Sequence, residues 1–478
     1  LDLQGLFVDQ KQPQRTPPDY TRPGLGTPQL TAAVDRISLG RQTPNPRAKP
    51  RLRRWGATAL RFGCSCAGLS SFAFLAGASA QNALVPPPLD LPGTGQSPQL
   101  QQGGPAGMSV LSAPPVAPLP DLPLWQVGPV KFYPHLLYRF LYGDGIPAQA
   151  NDRLTTAISE VDPGILFQVG SHWQLDYTPS FLDYSNSHFR NTTDQSVILN
   201  GTTAWQSWTL GLSQSYVTTS QPLIETGAQT DLEIYHTAIN ARYSFNSKAS
   251  LQIGLSQDFN FVGQNASSEP LVDSKVWSTM DWFNYQVWSR LSAGLGVGGG
   301  YVDVSAGSAT AFDELQGRVA WQLADKVSLE VSGGVEETRV LDANTPDLIS
   351  PLFGVSVIYR PFETTSVSLN AGESAMASYI FSQEMENTFI TATFHQRLLK
   401  ALSFGLTAGY QITSYLDSAG GLAQSRQDDY TYVNVRLSVP FLKRGTAGVF
   451  YQAGENTSTV SQYQLSSTQV GFDLSYHF

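Results

Sequence analysis

The last nine residues alternate without a break. Val470, Phe472, Leu474, Tyr476 and Phe478 fall on one face of an extended chain, and Gly471, Asp473, Ser475 and His477 on the other. A period of two is the strand signature. It recurs at Tyr235 to Phe245, Val327 to Ser332, Leu402 to Ile412 and Val433 to Val439. One face is apolar and the other small and polar, which also suits a soluble sandwich. Length separates the two. Soluble strands average about five to six residues, whereas many runs here reach ten or more, the length a tilted strand needs to cross a bilayer.

Composition agrees. Charged residues are 14% and aromatic residues 11% of 478, with 42 Gly. A disordered chain is highly charged and poor in aromatics, and a helical bundle is rich in Ala, Glu, Lys and Leu. In lipid every backbone amide must be paired, so a spanning sheet has to close. Eighteen alternating segments run from 131–142 to 466–478. Short joins such as Gly170, Gln206, Asn246-Ser247 and Arg290 alternate with long ones such as Thr219–Asp231, Val262–Lys275, Arg339–Pro351 and Ser414–Asp428. The expected fold is all-β: a transmembrane antiparallel β-barrel of about 18 strands (16 if an end pair is misread), with short periplasmic turns, long outer loops and both termini periplasmic. Lys275–Leu291 is drawn as a strand, with Trp282, Tyr285 and Trp288 as interfacial aromatics; an amphipathic helix in the lumen is the competing drawing.

The N-terminal part has a different character. Residues 1–80 carry a net charge of +7 and residues 131–478 a net of -14. Arg51, Arg53, Arg54 and Arg61 flank an apolar run from Phe62 to Leu75, and Ala78-Ser79-Ala80 is a small-x-small cleavage site. Residues 51–80 therefore read as a signal peptide, with the mature chain starting at Gln81. Residues 1–50 lie upstream of the signal and are read as a non-translated or disordered leader. Residues 81–130, with Pro86-Pro87-Pro88 and Pro114-Pro115, form a Pro/Gly-rich periplasmic linker. Residues 131–478 form the barrel.

No constellation for catalysis stands out. The six His have no HxH or HExxH spacing, and there is no Gly-x-Ser-x-Gly elbow. No catalytic, cofactor or metal site is expected. Glu336-Glu337 and Asp428-Asp429, at expected strand ends, are read as solvated loop charge, with divalent-cation binding by the paired carboxylates as the alternative. Gly294, Gly296 and Gly298 to Gly300 lack the Lys-Ser/Thr of a phosphate loop and are read as wall glycines. On alternation, Arg242, Arg318, Glu330, Arg360, Arg397 and Arg436 point into the lumen, where a charge avoids the cost of facing lipid. They either orient polar solutes through a transverse field or pair with wall acids and brace the barrel. No continuous inward aromatic track for sugars is visible.

Tyr142-Gly143-Asp144-Gly145-Ile146 after the first strand, Glu160-Val161-Asp162-Pro163-Gly164-Ile165 in the second and Trp173-Gln174-Leu175-Asp176-Tyr177 in the third together resemble the β-barrel porin family of Gram-negative outer membranes. Gly143, Gly145 and Asp162 depart from that family's motifs. The resemblance implies a porin-like passive channel for small polar solutes. The alternative is an accessory or structural barrel of an exopolysaccharide or envelope-export pathway. Expected partners are outer-membrane lipids, lipopolysaccharide and the barrel-assembly machinery, which would read Phe472, Leu474, Tyr476 and Phe478 as an assembly signal. Polysaccharide-export components join them under the alternative. The net charge of -9 gives no reason to expect nucleic acid.

Overall fold

The computed structural model describes residues 123–149, 152–263, 270–341, 347–380, 383–399, 401–417 and 423–478. The leader, the signal peptide and most of the linker lie outside these residues. The barrel strands are β1 (Val130–Gln149), β2 (Asp152–Val169), β3 (Trp173–Tyr184), β4 (Thr192–Trp205), β5 (Trp208–Thr219), β6 (Leu232–Ser244), β7 (Ala249–Val262), β8 (Ser274–Trp288) and β9 (Leu291–Val304). They continue as β10 (Thr310–Ala324), β11 (Val327–Val340), β12 (Leu348–Phe362), β13 (Thr365–Ala377), β14 (Gln383–Leu398), β15 (Leu402–Asp417), β16 (Ala423–Phe441), β17 (Gly445–Ser458) and β18 (Leu465–His477). Each strand pairs antiparallel with its sequence neighbours. Pairing of β18 with β1, Asp473 opposite Arg139, closes the sheet and leaves no edge. At the end of the expected linker, Trp125–Val127 turns back antiparallel along β1.

Polarity is inside out. Val319, Val331, Leu437, Val449, Phe472 and Leu474 are exposed, while Asp176, Gln252, Gln316, Glu330, Gln452 and Asp473 are buried. Apolar surface outside and polar groups inside a closed antiparallel sheet is the arrangement of an outer-membrane barrel.

Three expectations change. Residues 143–157, expected as a loop, are mostly strand, because β1 and β2 extend as a hairpin to Gln149 and Asp152. Segments that project beyond lipid need no apolar face, so alternation no longer marks them. Glu336-Glu337 and Asp428-Asp429 lie within β11 and β16 rather than in loops. Glu336 and Asp428 are buried, and Asp428 is ion-paired with Arg426. Lys275–Leu291 contributes strand β8, but Trp282 is not interfacial: it is 1% exposed, while Phe283, Tyr285 and Trp288 are exposed. Positions 282 and 285 differ by an odd number, so a regular strand cannot turn both to lipid. A bulge between Gln286 and Trp288 shifts the phase and returns Trp288 to the outside.

Candidate functional site

Part of the inner wall holds its charges in pairs. Where the barrel closes, Arg139 on β1 stands in register with Asp473 on β18 and Glu160 on β2. Its Nε donates to Glu160 Oε2 at 2.6 Å. Arg436 on β16 reaches across β17 to Asp473. It passes Gly448, where an added Cβ would stand 2.6 Å from Asp473 Oδ1; glycine leaves the space the guanidinium uses. Arg436, Asp473, Arg139 and Glu160 thus form a charged row from β16 to β2, spanning the closure. Two rows nearer the short turns, His135 Nε2 and Asp176 Oδ2 are 3.1 Å apart. On the opposite wall, Arg318 lies 4.1 Å from the centre of the Trp282 ring. It donates to Asn284 Oδ1 at 2.7 Å and to Gln252 Oε1 at 3.3 Å.

The six expected lumen charges therefore occupy different settings. Arg436 is paired with an acid, and Arg318 is held by amides and an aromatic face. Glu330 is buried. Arg242, Arg360 and Arg397 are exposed at the short-turn ends of β6, β12 and β14, on the alternation phase of buried His236, Ser356 and Asn387. At the C-terminus, Phe472, Leu474 and Phe478 are exposed. Tyr476 packs edge-on against Phe478 at 5.1 Å.

The long-loop end is narrowed by a segment that sequence reasoning left outside. After β5, residues 220–231 fold inward as a small hairpin, Pro222–Leu223 against Ala228–Gln229. Leu223, Glu225, Thr226, Ala228 and Thr230 are all buried. Leu223 belongs to a cluster with Leu271, Tyr379, Ile380 and Tyr463, and Ile224 to one with Tyr430 and Leu465. The hairpin leaves from β5 and β6 and ends against Arg426 and Tyr430 of β16 and Leu465 of β18, so it reaches across the mouth.

Its far end is latched by polar groups. Glu225 Oε1 accepts from Ser378 Oγ at 2.6 Å and from the Tyr379 backbone N–H at 2.8 Å. Arg426 donates to the Glu225 carbonyl at 2.9 Å and to Asp428, and its guanidinium lies over the rings of Tyr463 and Tyr415. Burial pushes the Glu225 carboxyl up to about 7, against the opposing pull of Ser378, Tyr379 and Arg426. The missed signal was apolar residues in expected outer loops: Leu223-Ile224, Leu271-Val272 and Tyr379-Ile380. A second, inward apolar layer of Leu141, Ile158, Leu182, Tyr184 and Phe450 was hidden because alternation assigned every large apolar group to lipid. Among the described residues no group of His, Cys, Asp and Glu could hold a metal ion.

No family model and no curated protein matches the chain. Solved structures do. OccK7 (OpdD) of Pseudomonas aeruginosa is 11% identical with a TM-score of 0.40, over 74% of this chain and 99% of that one. OccAB3 of Acinetobacter baumannii is 10% identical with a TM-score of 0.41, over 73% and 99%. A BenF-like porin of Pseudomonas fluorescens Pf-5 is 10% identical with a TM-score of 0.43, over 73% and 99%.

Proposed function

We propose that the chain is a porin-like outer-membrane channel that passes small polar solutes, with both termini periplasmic and residues 220–231 as its constriction. One observation carries this reading: a closed eighteen-stranded sheet turns its apolar side chains outward and buries its polar ones. Barrels of about 16–18 strands enclose an aqueous channel. A polar wall lowers the cost of moving a hydrated solute past it, and a hairpin across one mouth limits solute size. Catalysis plays no part in the proposal. Liposome swelling tests it. Vesicles holding the folded protein should swell in small sugars or amino acids and not in large oligosaccharides. Swelling no faster than in protein-free vesicles contradicts it.

A second reading draws support from the same hairpin. A mouth crossed by buried residues also suits an accessory barrel of an envelope-export pathway, which needs no open pore. In either case the exposed Phe472, Leu474 and Phe478, with Tyr476, act as the signal read by the assembly machinery. Deleting Tyr476–Phe478 should leave the chain unassembled and protease-sensitive. Folded, heat-modifiable protein at unchanged level after that deletion would refute this role.

A further inference from the structure

Every barrel strand has two neighbours, but β12 and β13 pair with each other over only part of their length. Their ladder runs from Phe362 opposite Thr365 to Gly354 opposite Gly372 and stops there. β12 stays paired with β11 as far as Leu348, and β13 stays paired with β14 as far as Ala377. At the long-loop end, Leu348–Phe353 and Glu373–Ala377 therefore share no ladder. The last pair is two buried glycines on the inward phase. An added Cβ at Gly372 would stand 3.3 Å from the Phe389 ring. Glycine leaves that space free where the strand bends away from its neighbour.

Beyond the glycines the end of the β13–β14 hairpin leaves the wall. Glu386 lies on the alternation phase of exposed Ile390, with no register shift between them. Its Oε1 nonetheless accepts from the Ser350 hydroxyl at 2.7 Å. Ser350 is buried on the inward phase of β12, two strands away. An outward face meets an inward one only if the hairpin end lies on the lumen side of β12. Glu384, on the same face as Glu386, is within electrostatic reach of Glu336, a buried inward group of β11. The tip runs on into the mouth. The Tyr379 carbonyl accepts from the Val272 N–H at 2.8 Å, and Ile380 bridges to Leu271, both in the loop after β7. Ser378 and Tyr379 hold the Glu225 carboxyl of the 220–231 hairpin.

We propose that this hairpin end, residues 373–380 and 383–386, is the moving arm of the constriction. It alternates between the latched position in the mouth and a wall position paired with β12. The inference rests on the constriction reading and names its moving part. Unpaired strand edges in a membrane wall are costly, and the wall position removes these two. Continuing the existing register places Phe353 opposite Glu373 and Leu352 opposite Ser374, inward phase matched to inward, so no slip is needed. The latched position also sets Glu384 and Glu386 near Glu336, and like charges repel. Against these terms stand the bonds to Glu225 and the burial of Tyr379 and Ile380, 0% and 3% exposed. Two competing sets of contacts on one element make a bistable gate.

Intramolecular disulfide trapping tests it, in full-length protein with Cys64 and Cys66 replaced by Ser. Leu352→Cys and Ser374→Cys together mark the wall position, where their Cα atoms stand about 4.5–5.5 Å apart, inside the disulfide range. Mild oxidation in membranes should give a partial yield, and adding Glu225→Ala should raise it at least threefold. Arg426 still holds the Glu225 backbone carbonyl in that variant, so the 220–231 hairpin keeps a tie of its own. If Glu225→Ala fails to fold, Ser378→Ala, which removes only a hydroxyl donor, should raise the yield about twofold. Ser356→Cys with Asn370→Cys, a pair already in register, should oxidise fully in every background and reports folding. In planar bilayers the oxidised Leu352→Cys/Ser374→Cys protein should conduct at least twofold more than the same protein after reduction. No disulfide between 352 and 374 where the control pair oxidises fully, a yield indifferent to both latch variants, or a measurable conductance unmoved by reduction would each overturn the proposal. Protein that cross-links as expected but conducts in neither state supports the moving arm and contradicts the channel reading instead.

Discussion

Asp473 is the residue on which the barrel closure turns. It is 1% exposed, meets Arg436 across β17 and stands opposite Arg139 across the closing pair of strands. Removing one partner of a buried ion pair leaves the other uncompensated and costs about 3–5 kcal/mol. Asp473→Asn is therefore expected to destabilise the folded barrel by about 3 kcal/mol in urea titrations in lipid, because Arg139 keeps Glu160 while Arg436 loses its acid. Adding Arg436→Gln should restore more than half of that loss. A double variant as unstable as the sum of two singles would show that the two side chains do not interact. Gly145 illustrates a different constraint. Its φ is +73°, and an added Cβ would lie 1.9 Å from the Ser466 carbonyl oxygen. The Gly145 departure from the resembled motif is thus a requirement of how β1 meets the start of β18.

Among the elements, the hairpin after β5 is the one on which the proposed constriction rests. Its latch is expected to respond to pH. Glu225 moves from its ordinary 4.5 to about 7 when buried, so the docked hairpin holds the proton more tightly than the free one. Docking is then strongest below pH 4.5 and weakens as pH rises through about 7. The groups facing this carboxyl are Ser378 and Tyr379 from the loop after β13, and Arg426 and Asp428 from β16. Single-channel conductance is expected to rise between pH ~6 and ~8 as ionisation loosens the latch, by on the order of 3 kcal/mol at most. Glu225→Gln should keep the low-pH conductance across that window. An unchanged pH response in Glu225→Gln would remove Glu225 from the gate. The sequence made the strands legible because lipid imposes a period of two on each crossing, and all eighteen segments carry it. It hid the hairpin because an element docked inside a lumen obeys no period. Only its unpartnered Leu223 and Ile224 marked it. Trp282 and Trp288 share a parity in sequence but not a face, because one bulge, between Gln286 and Trp288, changes phase without leaving a compositional mark.

For the whole molecule, charge is distributed unevenly between the two mouths. At the hairpin end, Arg426 is tied to Asp428 and to the Glu225 carbonyl. At the short-turn end Arg360 and Arg397 stay exposed. Replacing both with Glu changes the fixed charge by four units without touching a buried pair. Selectivity is expected to shift toward cations in reversal-potential measurements. The shift should shrink at 1 M salt, where the screening length falls to about 3 Å. A reversal potential unmoved at low salt would place these two side chains off the conduction path.

The central claim is that this barrel encloses a polar lumen narrowed by its own hairpin. Planar-bilayer recording of the folded chain, with and without residues 221–230 replaced by a short Gly-Ser turn, tests it most directly. The account predicts small, stable unitary conductance in the unaltered chain and a severalfold larger one in the shortened chain. Folded protein that conducts in neither form would contradict it.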